Sequence, residues 1–154
     1  MAEPPSGPEV VVTGDTPKGR ITGDRRSLFQ KARLAQDGDV SAAAELRVAK
    51  LLRTEGRNVH FIDDLLTPRR TNDLIVDGVN ADIKRIAGLG RNAAGDLAKG
   101  VHQVGSGGQV IVVRPANSSF TLEQFYDFVS NFTPKQPGVT FRVVDEALLP
   151  RLFF

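Results

Sequence analysis

Asp73, Asp82 and Lys84 lie close together in the stretch "NDLIVDGVNADIKR", residues 72–85, and their types suit one kind of chemistry. Two carboxylates a few ångströms apart suit a hard divalent cation such as Mg²⁺, which takes one or two carboxylates and keeps several waters for a phosphate-bearing substrate. A lysine beside them could orient an attacking water or stabilise the charge that develops on a phosphate.

The elements that must position these groups are two short strands joined by Asp77-Gly78. Asp-Gly between alternating apolar runs is a strong hairpin signal, because both central residues of a type I′ turn need φ > 0. A two-residue loop there pairs Val76 with Val79, Ile75 with Asn80, Leu74 with Ala81 and Asp73 with Asp82. Like charges directly opposite are destabilising, so a sheet that keeps them uses them. Side chains alternate along a strand, so Lys84 shares the face of Asp82, while Leu74, Val76, Val79, Ala81 and Ile83 fill the other.

A third acid stands out further upstream. Arg25 to Gln36, "RRSLFQKARLAQ", reads as a helix stopped by Asp37-Gly38. Asp39 then reads as the N-cap of a helix running to about Glu55 and closed by Gly56. Its apolar stripe is Ala44, Val48, Leu51 and Leu52, and Glu45 lies within that half, facing the core side where a solvated Glu would face away. It is either a site residue or one partner in a half-buried salt bridge.

Beyond this helix the spacing predicts a strand over 57–62, the loop "DDLLTPRR", the hairpin, and a helix from about Asn92 to Val104 with Ala93, Leu97, Val101 and Val104 inward. "GSGG" ends that helix before the strand "QVIVVR", Gln109 to Arg114. "SSFTLEQFYDFVSNF" reads as a helix capped by Ser119 or Thr121, with Leu122, Phe125, Phe128, Val129 and Phe132 apolar, and "VTFRVV" as a last strand. The order implies an α/β fold, a mixed sheet flanked by helices. Residues 1–23, rich in Pro, Gly and Asp, read as an arm or linker with a short strand at Val10–Val12, and 24–154 as the domain.

Composition narrows the function classes. The 154 residues are 40% hydrophobic and 25% charged, ordinary for a soluble globular chain. No apolar run is long enough to cross a bilayer, and no basic-then-apolar signal peptide opens the chain. The absence of cysteine excludes disulfides, thiolate catalysis and Cys-ligated metal. The net charge of +2 says little, but between Ile83 and Pro115 stand Lys84, Arg85, Arg91, Lys99 and Arg114 against the single acid Asp96. A basic stretch following an acidic cluster fits a site for a metal and a polyanion together; the alternative is a solvated basic face. His102 flanks this stretch and would either touch phosphate or lie on the surface.

Other chemistries fit less well. "GLGRNA", Gly88 to Ala93, matches a loose dinucleotide-binding turn, but a first Rossmann strand is buried on both faces, and "ADIKRI" carries three charges. No GK[ST] follows, so a P-loop does not fit. His60 and His102 lack the spacing of a zinc site. The serines lack a nucleophile elbow, and the aromatic residues fall at core spacing, not in a stacking platform.

In order and spacing Glu45, Asp73 and Asp82-Ile83-Lys84 resemble the PD-(D/E)XK nuclease superfamily, with Asn72 in the place of its proline and Asp82 in that of the more usual Glu. The resemblance implies a restriction-endonuclease-like core: a helix, a three-stranded antiparallel portion, a crossover helix and a further strand. It implies Glu45, Asp73 and Asp82 as ligands of Mg²⁺ or Mn²⁺, Lys84 as the residue that positions water, and Gln103 as a polar substrate contact. Arg85, Arg91, Lys99, His102 and Arg114 would then bind nucleic acid. More narrowly, "NDLIVDGVNADIKRI" followed by a Gly-rich basic helix and "QVIVVRP" is similar to the C-terminal nuclease toxins of contact-dependent growth inhibition systems, several of which cleave tRNA. That implies RNA before DNA as substrate, a cognate immunity protein, and a delivered toxin domain acting in the cytoplasm of a target cell, or a cytoplasmic orphan module. A DNA endonuclease of the same fold, an RNase of this fold working without metal, and a non-catalytic nucleic-acid-binding module are the alternatives.

Overall fold

The computed structural model describes residues 19–23, 25–62, 74–134 and 136–152. Asp73 and the expected strand at Val10–Val12 lie outside them. Among the described residues the fold is α/β, with four helices and a six-stranded mixed sheet. In chain order the elements are β1 (Ile21–Gly23), α1 (Arg25–Gln36), α2 (Val40–Thr54), β2 (Val59–Phe61), β3 (Leu74–Val76), β4 (Val79–Arg85), α3 (Arg91–Val104), β5 (Gln109–Arg114), α4 (Leu122–Asn131) and β6 (Thr140–Asp145), followed by a 3₁₀ turn, Glu146–Leu148. The strands lie side by side in chain order. β3 is antiparallel to both β2 and β4, and β1, β5 and β6 join their neighbours in parallel.

Local signals account for most of these elements. Asp77 at φ 49° and Gly78 at φ 82° make the turn between β3 and β4, and the register is the expected one: Val76 with Val79, Ile75 with Asn80, Leu74 with Ala81. The Asp77 carboxylate also accepts from the Asn58 backbone N–H at 2.8 Å and from Arg57, so the turn is tied to the start of β2. Asp39 caps α2 by accepting from the Ala42 N–H at 2.9 Å. Thr121, not Ser119, caps α4, in a capping box with Gln124. β1 was not foreseen: the stretch read as an arm through Gly23 ends in a strand paired in parallel with β2.

The sheet separates two apolar layers. Ala44, Val48, Ala49 and Leu52 of α2 pack on Val59, Phe61, Leu74, Val76, Ala81, Ile83, Ile111 and Val113. On the other side Ala93, Leu97, Val101 and Val104 of α3, with Phe125 and Val129 of α4, pack on Val110 and Val112. β5 is therefore buried on both faces, which is why it reads as the unbroken apolar run "VIVV". Val79, expected on the packed face, is 41% exposed because it directly follows the turn. Among the described residues no helix is long and apolar enough to cross a membrane.

Candidate active site

Alternation along β4 sends Ala81 and Ile83 into the α2 layer, so Asp82 and Lys84 face α3. Asp82 is the one buried charged residue among those described, at 1% exposure. Burying a carboxylate costs several kcal/mol unless it is compensated, and Lys84 supplies a compensating charge two residues along the same strand, with Nζ 3.0 Å from Asp82 Oδ2. The same ammonium donates to Gln103 Oε1 on α3 at 2.9 Å. Strand and crossover helix thus meet at one lysine, which brings together three of the expected site residues, Asp82, Lys84 and Gln103.

Gly100 makes this meeting possible. A Cβ at that position would stand 3.2 and 3.3 Å from the Val110 methyls and 3.5 Å from Lys84 Cε. Its absence lets α3 lie close on β5 while the lysine stem passes beside the helix. The visible signal was a glycine within an otherwise regular helical pattern, which often marks close packing. Further along, Asn80 donates to the Val104 carbonyl at 3.4 Å, tying the end of α3 over β4.

Glu45 is placed differently. It rides on α2, whose packed layer lies on the opposite face of the sheet from Asp82 and Lys84. Its Oε1 lies 2.6 Å from Lys31 Nζ of α1, and both side chains are largely buried. Lys31 Nζ also stands 5.6 Å from the centre of the Phe61 ring. The half-buried salt bridge is thus what forms here, with a partner that sequence reasoning had not named. Among the described residues no three His, Asp or Glu side chains come together to hold a metal ion.

The basic residues divide into two groups. Arg85 points to the α2 side and donates to both carboxylate oxygens of Glu146, at 2.6 and 3.1 Å. This pair holds the Glu146 carboxyl below the usual range and raises the Arg85 guanidinium. Arg114 donates to the Phe120 carbonyl at 2.7 Å and pairs with Asp145 at 3.3 Å. Arg91, Lys99 and His102 instead stand exposed on α3. A cleft of about 640 Å³ opens where β4 leads into α3, lined by Arg85, Gly88, Arg91 and Asp96 among others.

On the α3 side of the sheet the polar residues of β1 to β3 stay half-buried or exposed. Thr22 Oγ1 lies 3.0 Å from His60 Nδ1, and both line a cleft of about 460 Å³ with Asn58, Ile75 and Asp77. His60 thus points away from Val59 and Phe61, as alternation requires.

Comparison with protein-family models, with curated proteins and with solved structures yields no match.

Proposed function

We propose that the chain is a metal-dependent endonuclease that hydrolyses phosphodiester bonds, with RNA, and tRNA in particular, favoured over DNA. The observation that carries the reading is the buried Asp82 beside Lys84, with Gln103 reaching the same ammonium from the crossover helix. A carboxylate hidden among β-branched residues and partnered by the lysine two positions on is poor economy for a sheet and good preorganisation for a phosphate reaction. Further support comes from the topology: a helix, three antiparallel strands, a crossover helix and a parallel strand follow in the order that the restriction-endonuclease-like core requires.

The donors present suit a hard cation in part. Mg²⁺ or Mn²⁺ needs only one or two carboxylates plus waters; Asp82 is one, and Asp73 would be the second. Glu45 takes part only if its bond to Lys31 opens. A divalent ion bound there would lower the pKa of a bound water and neutralise charge on the scissile phosphate. Lys84, steadied by Gln103, orients the water or a phosphate oxygen. Arg91, Lys99 and His102 grip the flanking phosphates without reading sequence, whereas Arg85 and Arg114 would first have to leave Glu146 and Asp145.

The preference for RNA, the delivery into a target cell's cytoplasm and a cognate immunity protein rest on the resemblance to the growth-inhibition toxins. The test is a cleavage assay on total tRNA and on plasmid DNA, each with Mg²⁺ and with chelator, beside the Asp82→Ala variant. Cation-dependent cuts lost in the folded variant support the reading and select the substrate. Cutting that survives in Asp82→Ala overturns it, cutting insensitive to chelator points to a metal-free RNase, and nucleic-acid binding without cutting points to a binding module.

A further inference from the structure

We infer that the cleft between α3 and the chain leaving α4 is a nucleobase pocket, which takes one unpaired base of an RNA bound along α3. This rests on the reading of the chain as a protein that acts on RNA, and it narrows the substrate from RNA in general to a single-stranded segment.

The cleft measures about 430 Å³ and is lined by Ala98, Val101 and His102 of α3 and by Phe132, Thr133 and Gln136, a mainly apolar wall with a few polar groups, as small planar ligands require. Spacing alone places Phe132 with the apolar residues of α4, but the helix ends at Asn131 and the backbone is extended at Phe132. The Phe132 ring stays half-buried and forms part of the wall. An edge-to-face contact with Phe141, centroids 5.8 Å apart, holds that ring in place, so little freedom is lost when a base stacks on it. Gln136 is held as well: its Oε1 accepts from Ser106 Oγ at 3.4 Å, and the next carbonyl, of Pro137, accepts from the Gly107 N–H at 2.9 Å. Its carboxamide carries the donor and acceptor types that read a base edge.

Charge favours a nucleotide over an uncharged aromatic ligand. Arg91, Gly95, Ala98 and His102 follow one another at helical spacing and form one stripe of α3, with Lys99 beside it. Arg91 and Lys99 are exposed. Among the described residues that line this cleft none is acidic, whereas the clefts at Asp77 and at Asp96 each carry a carboxylate. A phosphate backbone following the stripe meets the cleft at His102, where a base can leave the strand and enter. A base held in a duplex cannot, because its edge is paired and its faces are stacked.

The experiment is fluorescence anisotropy of the full chain in chelator, across a salt series, with a labelled single-stranded RNA of mixed sequence and with the same RNA as a duplex. Phe132→Leu removes the ring and keeps apolar bulk. Ala98→Leu fills the cleft from an exposed helix position and covers the case in which Phe132→Leu does not fold. The expected result is a Kd for the single strand raised about fivefold or more in each variant, with the slope of log K against log salt unchanged and duplex binding unaltered. Wild-type affinity for the single strand in the folded variants overturns the pocket and leaves the basic face of α3 as a binding surface. Equal losses for single strand and duplex also overturn it. Binding of neither RNA by the wild type overturns the reading of the chain as acting on RNA, and the pocket with it.

Discussion

Lys84 and Arg85 are consecutive in β4 and commit their charges to opposite sides of the sheet: Lys84 to Asp82 and Gln103, Arg85 to Glu146 near the end of the chain. The Arg85–Glu146 pair is bidentate and mostly buried, and Glu146 also accepts from the Ala116 N–H at 3.0 Å. Removing Arg85 leaves a largely buried carboxylate with a backbone amide as its remaining hydrogen-bond donor. Arg85→Met should therefore destabilise the fold by about 1.5–3 kcal/mol, measured by urea unfolding, while the folded fraction keeps its cleavage rate. A full loss of cleavage at unchanged stability would instead place Arg85 on the substrate.

The same carboxylates set the acid limit of stability. Arg85 holds Glu146 below the usual carboxyl range, and Arg142 does the same for Glu55 from β6, at 2.6 and 2.7 Å. Groups depressed in the folded state contribute stability that is present above their unfolded pKa, near 4.3, and is lost as pH falls through the folded value. The urea midpoint should thus decline below about pH 4.5, and less steeply in Glu146→Gln than in the wild type. An equal slope in both would remove Glu146 from the account.

Much of this arrangement could be read from the chain alone, because it depends on neighbours in sequence. The Asp77-Gly78 turn fixes the register of β3 and β4, Asp39 marks the start of α2, and the apolar run 110–113 marks a strand buried twice over. What escaped was set by distance. Arg85 and Glu146 are 61 positions apart, and no local pattern couples them. Helical periodicity placed Glu45 toward the core but could not say on which side of the sheet α2 would lie, and that side is what separates it from Asp82. β1 is only three residues long and follows Pro- and Gly-rich sequence, so its strand character comes from pairing with β2.

Arg91 and Lys99, exposed on α3, should behave unlike the engaged Arg114. In the Asp82→Ala background, Arg91→Ala and Lys99→Ala should each weaken RNA binding and reduce the slope of log K against log salt by about 1. Arg114→Ala should leave that slope alone and lower stability. Fluorescence anisotropy across a salt series reads the slopes, and an unchanged slope for both exposed residues would move the polyanion surface away from α3.

Gly100 separates packing from chemistry. Alanine is favoured over glycine in a helix by about 1 kcal/mol, but here its Cβ would crowd the Val110 methyls, while it would only touch the Lys84 stem. Helix or Val110 must give by a few tenths of an ångström. Gly100→Ala should leave the melting temperature within a few degrees of the wild type, the helical gain offsetting the crowding, and should slow cleavage by about tenfold as the shifted helix carries Gln103 away from Lys84. Full activity in this variant would mean that the site tolerates a looser helix.

Each strand of the sheet lies beside the strand that precedes it in the chain, and this bears on how the molecule is made. A chain emerging from the ribosome, or from any narrow passage, can lay down its strands one after another as they appear, with no late strand having to force itself between two already joined. Pulled from its end, it should give up β6 first and then β5, unravelling in the reverse of the order in which it was built.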